Sequence, residues 1–528
     1  MLFQASGCFE GSGRAGGGVW RFRCGTFFAH DSDTERRTAL KLFLYGHSFH
    51  YEMENLCRLF FHRQKIEVLE NCRDFDGPDA ALTLVEQDGD GLRLFVRTAI
   101  GAFRGEAEER VPADTVPQEL ERRLAVLLFR QLESALDIRP RWGILTGVRP
   151  VKFLRSLTER YGEEEAARMF REDYLVTEEK LRLSLTTMHN EGVLLARSRA
   201  DSCSLYVSIP FCPTRCAYCS FVSSTVEKTT KLIPRYVELL CRELEETARV
   251  VRNCGLRVES VYFGGGTPTA ISAEQLSALL ATVNREFDLS HSRELTVEAG
   301  RPDTVTREKL EALRAGGVTR ISINPQTLSD EVLRRIGRRH TTQQTLDAFR
   351  LARECGMDNI NMDLIAGLPG DSEEGFRATL DGVLALSPES VTVHTLSLKR
   401  SAQIYQDGAG EAEAETAAAM LDYAQRRLTE EGYLPYYLYR QSRMVGNLEN
   451  IGWCKPGFES PYNVYIMDET HTILACGAGA APKEVAERLE KLLESVHAAS
   501  VTDHFLAGVY FHAAFENIHP FADGNGRS

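Results

Sequence analysis

A chain of 528 residues has room for roughly three or four domains. With 43% apolar and 26% charged residues it has the mix of an ordinary globular protein able to bury several cores. The net charge of −13 argues against a broad nucleic-acid-binding surface, and no apolar run reaches the roughly 18 residues of a membrane span.

The first 38 residues are rich in Gly, Arg and polar residues (GSGRAGGG) and read as a disordered extension without the apolar stretch of a signal peptide. From residue 39 to 199 the pattern is that of an α+β domain. LKLFLYG, IEVLE, AALTLVE and GLRLFVRTA read as short strands, and HSFHYEMENLCRLFFHR between the first two as a helix. Helices are expected around 117–138 and 178–197, the second with Leu181, Leu185, Met188 and Leu195 on one face and Thr177 as N-cap. From Cys203 a regular alternation begins. SLYVSI, VESVYF, ELTVE, TRISI, NINMDLI and SVTVH read as strands, with helices between them at 234–252 and 272–286 among others. Ser272 and Gln275 form a capping box for the latter. Such alternation predicts parallel strands joined by right-handed crossovers, an α/β partial barrel of six units over 200–400 whose ligand site lies at the carboxyl ends of the strands. A further segment at 401–480 holds a helix at about 411–431 and short strands to Gly479. Residues 481–528 read as helical.

Thirteen cysteines, mostly scattered and without an export signal, point to a reducing cytoplasm and one metal site rather than a disulfide framework. The one tight group is Cys212, Cys216 and Cys219, in a loop after a predicted strand. Cys-x3-Cys-x2-Cys supplies three thiolates to one centre, which suits an iron–sulfur cluster or zinc. Three ligands leave one metal position open to a small molecule, which a closed structural zinc site does not. The spacing resembles the signature of the radical S-adenosylmethionine (SAM) superfamily. That resemblance implies a [4Fe–4S] cluster on these cysteines, SAM chelated at its open iron, and reductive cleavage of SAM to a hydrogen-abstracting radical.

Other features fit a ligand site at the strand ends. Gly264, Gly265, Gly266 and Thr267 end a strand in a run that lets backbone N–H groups approach a ligand, though such a run is more often only a turn. Glu298 ends ELTVE, and Gln326, Arg338 and Asp363 follow or end later strands. Arg338 could bind a carboxylate and the two acids could accept from ribose or amine groups, whereas singly each reads as an ion-pair or cap residue.

Taken together, these residues resemble oxygen-independent coproporphyrinogen III oxidase and its relatives. Tyr206 matches the tyrosine before the cysteine loop. Gly265, Gly266, Thr267, Glu298, Gln326, Arg338 and Asp363 match the SAM-contacting positions. LYGHSFHYEMENLCRLFF, WGILTGVRPVKF, RISINPQT and YYLYRQSRMVGNLENIGW are similar to the HemZ-type branch and extend the resemblance to about 40–479. It implies oxidative decarboxylation of two propionates of a porphyrinogen substrate, with an electron donor such as flavodoxin or ferredoxin. The pattern departs at Phe221, where the oxidase has a further cysteine, and at Ser208, where it has histidine. Haem-chaperone relatives share the aromatic at Phe221, so a haem-binding chaperone on the same scaffold is the alternative.

Residues 515–528, FENIHPFADGNGRS, resemble the core motif of Fic (Fido) domains, which transfer AMP to protein hydroxyls. His519 would be the base, Asp523 the Mg²⁺ ligand, the GNG turn an anion nest and Arg527 a phosphate ligand. The motif's second arginine does not follow, and the 481–528 piece reads as a truncated fragment in which His519 is expected to be inactive.

Overall fold

The computed structural model describes residues 39–480 except 63, 222, 398–413 and 442–443. The disordered extension expected at 1–38 and the Fic-like piece at 481–528, His519 included, lie outside the described residues.

The N-terminal sheet is built from β1 (Leu40–Tyr45), β2 (Ile66–Glu70), β3 (Asp79–Asp88), β4 (Gly91–Ile100) and β5 (Phe103–Pro112), in the order β2-β1-β3-β4-β5. β1 runs parallel to β2 and β3, while β3, β4 and β5 form an antiparallel meander. Both hairpins have two-residue loops that start on a glycine at positive φ, Gly89 at 64° and Gly101 at 54°. Loops this short need that backbone for their twist to match the strands. One face is covered by α1 (His50–Phe60) and α2 (Pro117–Leu136), which pack Leu56, Phe60, Leu128 and Phe129 against Leu42 and Val96. The sequence reading missed β5. Its side chains alternate between half-buried and exposed, and charged pairs such as Arg93–Glu108 and Arg97–Glu106 hold it instead of a hydrophobic stripe.

Two helices were also missed, α3 (Pro150–Tyr161) and α4 (Glu163–Glu172). They meet at Gly162, which serves both as C-cap of the first and N-cap of the second at φ 85°. α4 buries only Ala166 and Phe170, too few apolar positions to advertise a helix face. α5 (Glu178–Leu195) follows, with Thr177 at its N-cap position but making no side-chain capping bond. Helices α3 to α5 share a hydrophobic core with the second sheet rather than with the first. α5 buries Lys180 there, bonded at 2.7 Å to the equally buried Glu449, whose other oxygen accepts from the Trp142 indole at 2.8 Å.

The second sheet begins with β6 (Ser202–Ile209), followed by two-residue strands β7 (Phe211–Cys212) and β8 (Ser224–Thr225) and the short helix α6 (Val226–Thr229). Then come α7 (Ile233–Asn253), β9 (Arg257–Gly265), α8 (Ala273–Glu286), β10 (Glu294–Glu298), α9 (Arg307–Ala315) and β11 (Arg320–Ser322). They are followed by α10 (Asp330–Arg335), α11 (Thr342–Glu354), β12 (Ile360–Ala366), α12 (Glu373–Leu386), β13 (Ser390–Thr395) and α13 (Ala414–Glu430). The chain ends its described part in β14 (Leu434–Tyr439), β15 (Asn450–Cys454), α14 (Pro461–Asp468) and β16 (Thr472–Cys476). Sheet order is β14-β15-β13-β12-β11-β10-β9-β6-β16. β6, β9, β10, β11, β12 and β13 are parallel, as the alternation predicts, and the Ser272–Gln275 capping box is present. This is the α/β partial barrel of six β/α units. The segment after residue 400 is built into it. β16 pairs parallel to β6 at one edge, and β15 and β14 add antiparallel strands at the other. No described helix is long and apolar enough to cross a membrane.

Candidate active site

Parallel strands bring six carboxyl ends to one rim. The register sets Ile209 beside Gly265, Glu298 beside Ser322 and Asp363 beside Thr392. The cysteine loop leaves β6 at this rim and is pinned from several sides. Thr267 N–H donates to Phe211 O at 2.8 Å, Ser224 N–H to Pro210 O at 2.9 Å, and Ala217 N–H to Ile336 O at 2.9 Å. Cys216 is buried, while Cys212 and Cys219 are half-buried. Burial pushes the Cys212 and Cys219 thiols up, and the neighbouring cysteines add to it: Cys216 acts on Cys212, and both act on Cys219. Among the described residues no three potential ligands are already drawn together at metal-binding distances. The three thiols share one loop, and thiolates in such a set suit an iron–sulfur cluster.

The surroundings fit such a group. Gly266 lies against the loop so closely that a Cβ there would stand 3.0 Å from the Cys212 sulfur and 2.7 Å from Phe211 O. The Thr267 hydroxyl lies 3.6 Å from the same sulfur. On the other side two buried guanidiniums converge on Cys216. Arg301 Nη1 lies 3.8 Å from its sulfur, and Arg338, bonded to Asn324 O at 2.6 Å and the Tyr218 hydroxyl at 3.2 Å, also interacts with Cys216. Thiolates and inorganic sulfide carry negative charge, and buried cations beside them offset it.

Next along the rim stands Glu298, which accepts from the Tyr262 hydroxyl at 2.7 Å. Burial pushes its carboxyl up to about 7; the Tyr262 bond opposes this and the nearby Asp363 charge adds to it. Burial would likewise raise Asp363, but the His394 ring and the Asn361 amide, donating at 2.6 Å, outweigh it and hold that carboxyl below its usual range. The two acids are thus shifted in opposite directions because their partners differ. Gln326 sits at φ 69°, fixed by backbone bonds to Asp363 O and from Ile365 N. Its side-chain oxygen is buried with no hydrogen-bond partner, a vacancy a ligand donor would satisfy. Tyr206, Tyr262 and Tyr462 stack within the barrel, the latter two with centroids 4.4 Å apart.

The expected residues Tyr206, Gly265, Gly266, Thr267, Glu298, Gln326, Arg338 and Asp363 therefore all lie on or near the rim that carries the cysteine loop. Sequence reasoning missed Arg301 with Asp303, Tyr218, Tyr262, Tyr462 and His394. Arg301 stands three residues after Glu298 and Tyr218 lies inside the cysteine loop, so distance along the chain could have flagged both.

The Radical SAM superfamily model matches residues 206–383, and the Fic/DOC family model matches 445–528, a span whose first part here forms β15, α14 and β16. The oxygen-independent coproporphyrinogen-III oxidase-like protein HemZ of Bacillus subtilis is 41% identical over 376 residues, covering 69% of this chain and 74% of its own. Heme chaperone HemW of the same organism is 34% identical, over 38% of this chain and 52% of its own. The coproporphyrinogen III oxidase HemN of Escherichia coli, a solved radical SAM enzyme, is similar at a TM-score of 0.45 and 24% identity, covering 55% of this chain and 66% of its own. Membership of the superfamily implies a [4Fe–4S] cluster, SAM and a reductant. The chain belongs to the HemZ-like, oxygen-independent coproporphyrinogen-III oxidase-like proteins of the radical SAM superfamily.

Proposed function

We propose that this chain oxidatively decarboxylates two propionate side chains of coproporphyrinogen III to the vinyl groups of protoporphyrinogen IX. The observation that carries the reading is the extent of the HemZ likeness, 376 residues, well beyond the 206–383 core common to radical SAM proteins. In this reading Cys212, Cys216 and Cys219 hold the cluster. Bound there with SAM, the cluster supplies a one-electron source and a hydrogen-abstracting radical. The protein's own residues position and shield. The backbone of Gly264 to Thr267 would hold the methionine end of SAM, Gln326 would offer its buried side-chain oxygen, and Arg338 would bind a carboxylate. Glu298 and Asp363 would accept from ribose hydroxyl or amine groups, and the stacked Tyr206, Tyr262 and Tyr462 would help to exclude water. Each vinyl group formed releases one CO₂, one hydrogen atom to SAM-derived 5′-deoxyadenosine, and one electron to an acceptor.

A separate electron, the one that reduces the cluster, would enter from a partner such as a flavodoxin or ferredoxin. An open cleft of about 660 Å³ beside the loop, lined by Arg215, Arg334, Arg338 and Arg339 together with Glu227 and Asp330, is where such a donor would approach. A second reading, a haem-binding chaperone, is favoured by Phe221, whose ring is 67% exposed immediately beyond the cysteine loop. Anaerobic incubation with coproporphyrinogen III, SAM and reductant separates the two. Protoporphyrinogen IX with two CO₂ per molecule supports the oxidase; stoichiometric haem binding without product, under conditions where SAM is cleaved, supports the chaperone.

A further inference from the structure

We propose that Arg301, clamped by Asp303, is a positioning residue that sets the reduction potential of the cluster by holding positive charge against the Cys216 sulfur. The inference rests on the reading of Cys216 as a cluster ligand.

Arg301 follows β10 by three residues, and its side chain is only 4% exposed. Asp303 grips the guanidinium with two parallel bonds, Nε to Oδ1 and Nη2 to Oδ2, both 3.0 Å. That fork fixes the plane of the group and leaves Nη1 directed at the cysteine loop, 3.1 Å from the Thr214 hydroxyl and 3.8 Å from the Cys216 sulfur. A purely structural ion pair would need no third direction. Arg338 approaches the same cysteine from the segment after α10. His340 is near enough to feel both, its ring pushed down to about 3 by burial and by the charges of Arg338 and Arg301. Among the described residues, only Arg301 of the two guanidiniums at Cys216 is paired with a carboxylate, Asp303, while Arg338 bonds Asn324 O and the Tyr218 hydroxyl.

A cluster on three thiolates gains one more negative charge when it takes up an electron. Buried cations beside a ligand sulfur favour that reduced form, because charge, hydrogen bonding to sulfur and low exposure set such potentials. Arg301 should therefore raise the potential, and Asp303 should temper the effect.

The test is a redox titration of the reconstituted full-length protein, followed by electron paramagnetic resonance without SAM. Arg301→Gln should shift the midpoint to more negative potential, by at least the tenfold change in reduced-to-oxidised ratio that corresponds to 59 mV for a one-electron couple. Arg301→Lys, which keeps the charge, should stay close to wild type. Asp303→Asn removes the compensating negative charge while the Asn Oδ1 still accepts one guanidinium bond and Thr214 still holds Nη1, so it should shift the midpoint the opposite way. A titration of Arg301→Gln superimposable on wild type overturns the proposal, as does an equal negative shift in the Lys and Gln variants. Should Arg301→Gln fail to hold a cluster, Asp303→Asn decides: a positive shift supports the proposal, and no shift or a negative one overturns it. Wild-type iron content in Cys216→Ala would instead overturn the ligand reading, and this inference with it.

Discussion

Replacing Gly266 by alanine tests how tightly the glycine run and the cysteine loop are fitted. The added Cβ would stand 2.7 Å from Phe211 O, 2.9 Å from Phe211 N and 3.0 Å from the Cys212 sulfur, where ordinary contact begins at 3.4 Å. Relief requires movements of up to about 0.7 Å, the gap between those values. Two of the three atoms are backbone and cannot rotate away. The Gly266 N–H bond to Ile209 O at 2.9 Å and the Thr267 N–H bond to Phe211 O at 2.8 Å tie both sides together. Overpacking of this kind costs about 1–3 kcal/mol. More important is the displacement of Cys212 itself, because a misplacement of about an ångström can cost on the order of a hundredfold in rate. Gly266→Ala should therefore fold, hold less iron after anaerobic reconstitution, and cleave SAM far more slowly. Iron and sulfide content, the cluster absorbance and 5′-deoxyadenosine release measure this. Gly192→Ala is the control. It lies in α5 with no atom within 4 Å of its would-be Cβ, and should leave all three unchanged while stabilising the fold by about 0.5–1 kcal/mol. Wild-type iron content and cleavage rate in Gly266→Ala would refute the reasoning.

Three further outcomes follow from the buried charges. Lys180→Met should destabilise the fold by about 3–5 kcal/mol in denaturant titrations, because it leaves the buried Glu449 carboxylate with the Trp142 indole as its one side-chain hydrogen-bond donor among the described residues and only the more distant Arg440 and Arg141 charges to offset it. Glu298 has its carboxyl raised from 4.5 to about 7, so the fold favours the neutral form; its stabilising effect is complete below pH 4.5 and is lost as pH rises through about 7. Glu298→Gln should flatten that part of the stability profile measured on the protein without ligand, and an unchanged slope would show that Glu298 is not its source. If Glu298 accepts from SAM, wild-type affinity measured by equilibrium dialysis should rise as pH passes upward through about 7, and Glu298→Gln should bind more weakly with no such rise.

Much of the barrel was legible because its signals are local. Six apolar runs at βα spacing became six parallel strands, and Ser272 with Gln275 fixed a helix start that needs no tertiary context. β5 was hidden because an edge strand with Arg104, Glu106, Glu108 and Arg110 facing solvent carries no apolar alternation. α5 stands where it was read, after Thr177, but the burial of Lys180 and Glu191 on its inner face was hidden, since their partners, Glu449 for the first and Arg155 for the second, are remote in sequence. At the site, the cysteine spacing and the glycine run are contiguous motifs and could be read directly. The Arg301 clamp is not a motif of that kind. Its meaning lies in an approach between β10 and the cysteine loop, 85 residues apart, that only the folded chain brings about.

The measurement that tests the account most directly is transfer of deuterium. Coproporphyrinogen III deuterated in its propionate chains is incubated anaerobically with the reconstituted protein, SAM and reductant, and 5′-deoxyadenosine is analysed by mass spectrometry together with released CO₂. The account predicts deuterium in 5′-deoxyadenosine and one labelled molecule for each CO₂, with both products lost in Cys212→Ala. Unlabelled 5′-deoxyadenosine and no CO₂, from protein that cleaves SAM and holds haem, would contradict it.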